Sequence, residues 1–124
     1  MQGWRTTKGG VMEGLIISRW TKPRLGKEME AWKLGEEADA LAKRLIEEGK
    51  ITGFEWIAGF TGSDGHMSII RGDPATLMAL SMTPEMIEID MKSTAIQEDY
   101  RVDFAVSGST IGDTWPAWKA MLGK

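Results

Sequence analysis

Apolar positions along the chain follow two periods, and the switches between them mark out the elements. Leu15-Ile16-Ile17-Ser18-Arg19-Trp20 is a strand-like run bounded by Gly14 and by the Lys22-Pro23 breaker. From Lys27 to Glu48, Leu34, Ala38, Leu41 and Leu45 return at helical spacing among charged neighbours, which predicts a long amphipathic helix. Gly49 suits the left-handed position just beyond its end. Two further strand-like runs, Thr52 to Phe60 and His66 to Arg71, flank the turn-rich Thr61-Gly62-Ser63-Asp64-Gly65, so a hairpin is predicted. After Gly72-Asp73-Pro74 a Met- and Leu-rich stretch predicts a helix over Ala75–Met82. A second helical piece is predicted over Pro84–Thr94, with Thr83 as N-cap, Pro84 in the first helical position and Glu85 near the positive end of the helix dipole. Tyr100 to Ser107 alternates in the period-2 manner of a half-buried strand. The tail from Ile111 predicts a short helix with Trp115 and Trp118 as anchors, to its own domain or to a partner.

The order β, α, β, β, α, β in one compact unit predicts an α+β, ferredoxin-like fold with a four-stranded antiparallel sheet and its helices on one face. Strand parity divides the sheet. The helix-facing set is expected to be Leu15, Ile17, Phe54, Trp56, Ala58, Phe60, Met67, Ile69, Val102, Phe104 and Val106. The other face is expected to carry Ile16, Ser18, Trp20, Glu55, Ile57, Gly59, His66, Ser68, Ile70, Arg101, Asp103, Ala105 and Ser107. That second face is too apolar for water and too polar for a dry core. A second copy of the sheet is the simplest cover, giving a homodimer that encloses a partly polar cavity, a dimeric α+β barrel.

Composition narrows this further. The 124 residues suit one domain, and 42% hydrophobic with 27% charged residues is ordinary globular usage. We expect an N-terminal extension over residues 1–11, with Trp4 its one large apolar residue and Met12 a candidate internal start. The ferredoxin-like domain spans residues 12–108, and a Trp-rich C-terminal tail spans 109–124. The net charge of −3, with Lys and Arg scattered among Asp and Glu, argues against nucleic acid as a partner. The longest apolar runs fall far short of the roughly 20 residues of a membrane helix, so no membrane partner is expected. With no secretory signal pattern the cytoplasm is the default. The absence of cysteine removes disulfides, thiolate nucleophiles and thiolate metal sites.

The order of elements over residues 12–108 resembles the dimeric α+β barrel superfamily, which includes small monooxygenases, dehydratase-like and isomerase-like enzymes and haem-degrading proteins. Trp20-Thr21-Lys22-Pro23-Arg24-Leu25-Gly26-Lys27-Glu28, then Gly49-Lys50-Ile51, Phe54-Glu55 and Arg71-Gly72-Asp73, are similar to an uncharacterised bacterial group within it. The tip Gly62-Ser63-Asp64-Gly65 departs from the longer Gly-rich tip of that group. The resemblance implies the fold and the dimer, and carries over no catalytic residue.

The candidate chemistry lies on the second face. Glu55, His66 and Asp103 are the candidate catalytic residues: His66, the only histidine, as a general base or ligand, and the two carboxylates as acid-base groups if desolvated. Against this, each carboxylate could simply pair with a cation such as Arg101, and a lone histidine at a hairpin edge is more often a surface residue. Ser18, Trp20, Ile57 and Ser68 are the candidate substrate-binding residues. No ligand pair has a diagnostic metal spacing, no P-loop or dinucleotide fingerprint occurs, and no cofactor is expected. Haem would need His66 or Tyr100 as axial ligand. Met78, Met82 and Met86 are expected to fill the core. Two functions remain open. One is a small-molecule binder or enzyme using the cavity. The other is a non-catalytic interaction protein whose sheet face only forms the dimer and whose Trp-rich tail binds a partner.

Overall fold

The computed structural model describes residues 12–59, 65–108 and 111–123. In chain order the elements are β1 (Glu13–Trp20), β2 (Lys22–Pro23), α1 (Glu28–Glu47), β3 (Gly53–Ala58), β4 (His66–Gly72), α2 (Pro74–Ser81), α3 (Pro84–Ile96), β5 (Gln97–Glu98), β6 (Arg101–Ser107) and α4 (Ile111–Met121). The N-terminal extension with Trp4, the hairpin tip at 60–64 and Phe60 lie outside the described residues.

The end of α1 and the starts of α2 and α3 lie where local chemistry satisfies the helix backbone. α1 closes with Gly49 at φ +73°, where the Gly49 and Lys50 N–H groups donate to the Ile46 and Leu45 carbonyls, the paired bonds of a Schellman cap. At the start of α2 the Asp73 carboxylate accepts from the Thr76 N–H at 3.0 Å, and Pro74 occupies the first turn. Thr83 does the same for α3, its hydroxyl accepting from the Met86 N–H at 3.4 Å ahead of Pro84, as the sequence predicts. Two capped starts in succession break one helical segment into two.

The four long strands pair antiparallel in the order β3-β4-β1-β6, the ferredoxin-like topology. One row crosses the whole sheet, since Phe54 pairs with Ile70, Ile70 with Ile16, and Ile16 with Phe104. This row packs against Ala42 and Leu45 of α1 and Leu77 and Leu80 of α2 to form the core, with Ile51 closing one end. α2 rides directly on β1: a Cβ on Gly14 would lie 2.8 Å from Pro74 Cα, so only glycine admits this approach.

The core row corrects half of the face assignment. β3 and β6 have the expected phase, with Phe54, Trp56, Val102, Phe104 and Val106 towards the helices and Glu55, Ile57, Arg101 and Asp103 on the outer face. β1 and β4 are inverted. Ile16, Ser18, Trp20, His66, Ser68 and Ile70 take the helix side, and Leu15, Ile17, Met67 and Ile69 go outside. Both strands are apolar at consecutive positions, and the side carrying glycine, serine and histidine is the one that leaves room for helix backbone and a cavity.

Two short elements have no counterpart in the predicted order. β2 pairs with β5 through Lys22 opposite Glu98 and Pro23 opposite Gln97, extended by the Thr21 N–H to Glu98 carbonyl bond at 3.0 Å. Asp99 follows at φ 56°, a left-handed conformation that aspartate tolerates better than most residues. Together they turn the chain from α3 into β6 and set the positions of Gln97 and Tyr100.

α4 docks through Ala117, which is fully buried, and Met121, against Met12, Ala75 and Val106. Trp115 and Trp118 are 60% and 46% exposed, so of the two anchorings expected they do not provide the one to their own domain. Met86 is buried, whereas Met78 and Met82 face solvent, so the methionine stripe fills the core at one position of three. No described helix is long and apolar enough to cross a membrane.

Candidate functional site

The helix layer does not seal onto the sheet everywhere. On α1, Ala31, Gly35, Ala38 and Ala42 recur at spacings of four, three and four, which places small side chains on one stripe. Over that stripe a cavity of about 110 Å³ separates α1 and α3 from the sheet. Ser18 and Ser68, cross-strand partners on β1 and β4, lie on its sheet side, and Phe54, Trp56 and Trp20 add aromatic walls. Trp20 and Phe54 each meet Trp56 edge to face, with ring centroids 6.1 Å and 5.0 Å away. The Trp56 indole N–H donates to Asp39 on α1 at 3.3 Å, tying this wall to the helix.

The polar end of the cavity is built by α3, β5 and the residue before β6. Asp90 and Ser93 project from α3, Gln97 from β5, and Tyr100 follows the left-handed turn. The Tyr100 hydroxyl donates to Asp90 Oδ1 at 2.8 Å and lies 3.4 Å from Ser18 Oγ, so it links the helix carboxylate to the sheet. Burial pushes the Tyr100 phenol up to about 12, helped by the negative charge of Asp90, so it remains a neutral donor at physiological pH. Burial also pushes the Asp90 carboxyl above its ordinary value, and the bond from Tyr100 works in the other direction. Gln97 is 7% exposed, and its Oε1 has no hydrogen-bond partner in the structure. A buried acceptor left unpaired costs roughly 1–3 kcal/mol, so its persistence on a cavity wall calls for a reason.

The Asp90 shift makes a testable statement about stability. Because folding disfavours its charged form, the penalty is absent below the ordinary value of 3.8 and complete once the pH exceeds the raised folded value. Asp90→Asn removes the titration while keeping an acceptor for Tyr100. Urea unfolding of both proteins at several pH values from about 3 to 7 should show the variant gaining stability relative to the parent as the pH rises. A difference that stays flat across that range would remove Asp90 from the buried end of the cavity.

Of the residues picked out from sequence, the cavity brings together Ser18, Trp20 and Ser68. His66 shares their face but stacks at the rim, its ring 6.0 Å from that of Trp20 and tilted by 34°. The structure does not bring Glu55, Ile57 and Asp103 to this cavity. Glu55 is bound to Arg71 and Asp103 to Arg19, each at 2.7 Å, in exposed ion pairs on the outer face, and Ile57 lies there too. Both carboxylates thus pair with cations, the alternative weighed from sequence, and the partners are Arg71 and Arg19. Sequence reasoning did not select Asp90, Ser93 or Gln97 and weighed Tyr100 only as a haem ligand. Among the described residues, no group of three or more His, Asp and Glu could hold a metal ion. A second hollow, between α1 and α3, is an open groove whose charged residues Glu37, Arg44, Glu85 and Glu88 are solvated, Arg44 and Glu85 being paired at 2.6 Å.

Neither a protein-family model nor a curated protein matches the chain by sequence. Solved structures do match in fold. The hydroxynitrile lyase of Passiflora edulis superposes with a TM-score of 0.67 at 9% identity, covering 80% of this chain and 96% of that one. A dimeric ferredoxin-like protein of unknown function from Jannaschia sp. gives 0.59 at 13% identity, covering 80% and 99%. A cofactor-independent oxygenase from Streptomyces nogalater gives 0.59 at 9%, covering 80% and 96%. The fold is thus α+β and ferredoxin-like, as the order of elements implied. Identities this low show the fold alone.

Proposed function

We propose that the protein is a homodimer that binds, and by proton transfer converts, a small, largely apolar molecule held between its helices and its sheet. The observation that carries this reading is the polar end of an otherwise apolar cavity, where Tyr100 holds Asp90 and the Gln97 acceptor is left without a partner. Asp90 is the one charged group of the site, and desolvation raises its affinity for a proton or a cation. Tyr100 keeps that carboxylate in place and, with Ser18, leads from it to the sheet side of the cavity. That two neighbours of the same fold are a lyase and an oxygenase named as cofactor-independent is consistent with chemistry done by side chains.

The outer sheet face supports the dimer. With β1 and β4 in their observed phase it presents Leu15, Ile17, Ile57, Met67 and Ile69, framed by the Arg19–Asp103 and Arg71–Glu55 pairs. An apolar centre with a charged rim is the anatomy of a protein interface. The second reading, an interaction protein acting through its tail, is favoured by the exposure of Trp115 and Trp118.

A fragment screen by amide NMR on the whole chain separates the two. Small neutral fragments should shift residues around Ser18, Ser68, Gln97 and Tyr100, and Ser68→Leu, which fills the sheet side of the cavity, should abolish those shifts without unfolding the protein. Shifts confined to α4 around Trp115 and Trp118 would replace the cavity reading with the second one.

A further inference from the structure

We infer that the cavity selects a small organic amine in its protonated form, with Asp90 and Gln97 receiving the ammonium group and the tryptophan walls its alkyl part. This rests on the reading of the cavity as a small-molecule site and goes on to name the class of ligand. Three observations point the same way.

The first is the balance of donors and acceptors. Gln97 Oε1 is buried and unpartnered, and the Asp90 carboxylate has lone pairs beyond the one taken by Tyr100. An ammonium group brings three N–H donors and no acceptor, the complement of these two acceptors, and the lining hydroxyls of Ser18, Ser68 and Ser93 can accept as well as donate. The second is charge. Among the described residues lining the cavity, Asp90 is the only ionisable acid or base besides Tyr100, and none is Lys, Arg or His. A carboxylate or phosphate ligand would be buried beside Asp90 with no counter-charge, whereas an ammonium ion would neutralise it. The third is the apolar wall. Trp20, Phe54 and Trp56 line the cavity beside the polar end, an aromatic surface that suits the methylenes of an alkylamine.

Volume limits the ligand. A dry cavity of about 150 Å³ holds benzene, so about 110 Å³ holds an amine of roughly five heavy atoms.

Isobutylamine, isobutanol and isobutyrate have nearly the same shape and differ in charge, so titrating all three into the unmodified full-length chain by amide NMR tests the inference directly. Isobutylamine should shift the Gln97, Asp90 and Tyr100 resonances with an affinity at least about tenfold above that of isobutanol, and isobutyrate should bind more weakly still. Asp90→Asn should weaken the amine about tenfold while changing the alcohol by less than twofold. Equal binding of the alcohol, or tighter binding of isobutyrate, overturns the amine assignment and leaves the cavity standing as a site. If none of the three shifts a cavity residue, the amine assignment and the small-molecule reading fall together. The comparison on the unmodified chain decides the matter even if the Asp90 variant fails to fold.

Discussion

Leu77→Ala is expected to lower the unfolding free energy by about 3 kcal/mol, within the roughly 2–5 kcal/mol seen when a buried leucine is truncated. Leu77 is fully buried on α2 and packs with Ile16, Leu45, Ile51 and Leu80. The site has little freedom to collapse, because the backbone of α2 is held on β1 by the close contact of Pro74 with Gly14 and by its Asp73 cap. The cavity left behind therefore stays open, and the loss should fall in the middle of that range and not at its lower edge. Urea unfolding should show the midpoint falling with the slope unchanged, and the melting temperature dropping by about 10 °C. Met82→Ala is the matched control: Met82 is 74% exposed, and the change should stay within about 0.5 kcal/mol. A loss below about 1 kcal/mol at Leu77 would mean that α2 is not seated on the sheet as described.

The same core shows why the sequence was legible in some strands and not in others. On β6, Val102, Phe104 and Val106 alternate with Arg101, Asp103 and Ser107, and on β3 Phe54 and Trp56 enclose Glu55, so period 2 has a phase and the faces were read correctly. On β1 the run Leu15-Ile16-Ile17 is apolar on both sides, and on β4 Ile69-Ile70 is too, so alternation carries no phase there. What settles it is tertiary: Gly14 must pass under Pro74, and Ser18 with Ser68 must leave space under α1. Neither requirement is visible one residue at a time.

The candidate site divides along the same line. Ser18, Trp20 and Ser68 were picked from sequence as facing a cavity between the sheet and a second copy, and with β1 and β4 inverted they line a cavity under the helices instead. Asp90 was hidden because a carboxylate in the Pro84–Ile96 helix reads as part of a solvated face. Gln97 was hidden because its position depends on a two-residue pairing with Pro23, which has no periodicity to detect. The one available signal was Tyr100, the only tyrosine of the chain, placed at the entrance to a strand. Its partner could not be found without the fold.

The inversion of β1 and β4 also makes the outer face a sharper target than the sequence implied, because Ile17 now stands near its centre. Ile17 pairs with Ile69 on one side and with Asp103 on the other. Ile17→Arg is expected to convert the proposed dimer to a monomer in light scattering at micromolar concentration. An arginine there would be buried against the partner sheet as excess positive charge, since the charges of Asp103 and Glu55 are already balanced by Arg19 and Arg71. Burying an uncompensated charge costs about 3–5 kcal/mol, and the symmetry of a twofold interface imposes it twice, so the affinity should fall by more than about a hundredfold. Within one chain the change is mild, because Ile17 is only half-buried and the arginine can reach solvent, so the isolated fold should survive with little loss. Trp115→Arg, on the exposed side of α4, should leave the dimer intact. The reverse pattern, with Ile17→Arg still dimeric and Trp115→Arg monomeric, would move the interface from the sheet to the tail. It would also leave the outer apolar row to be explained by something other than a second copy of the sheet.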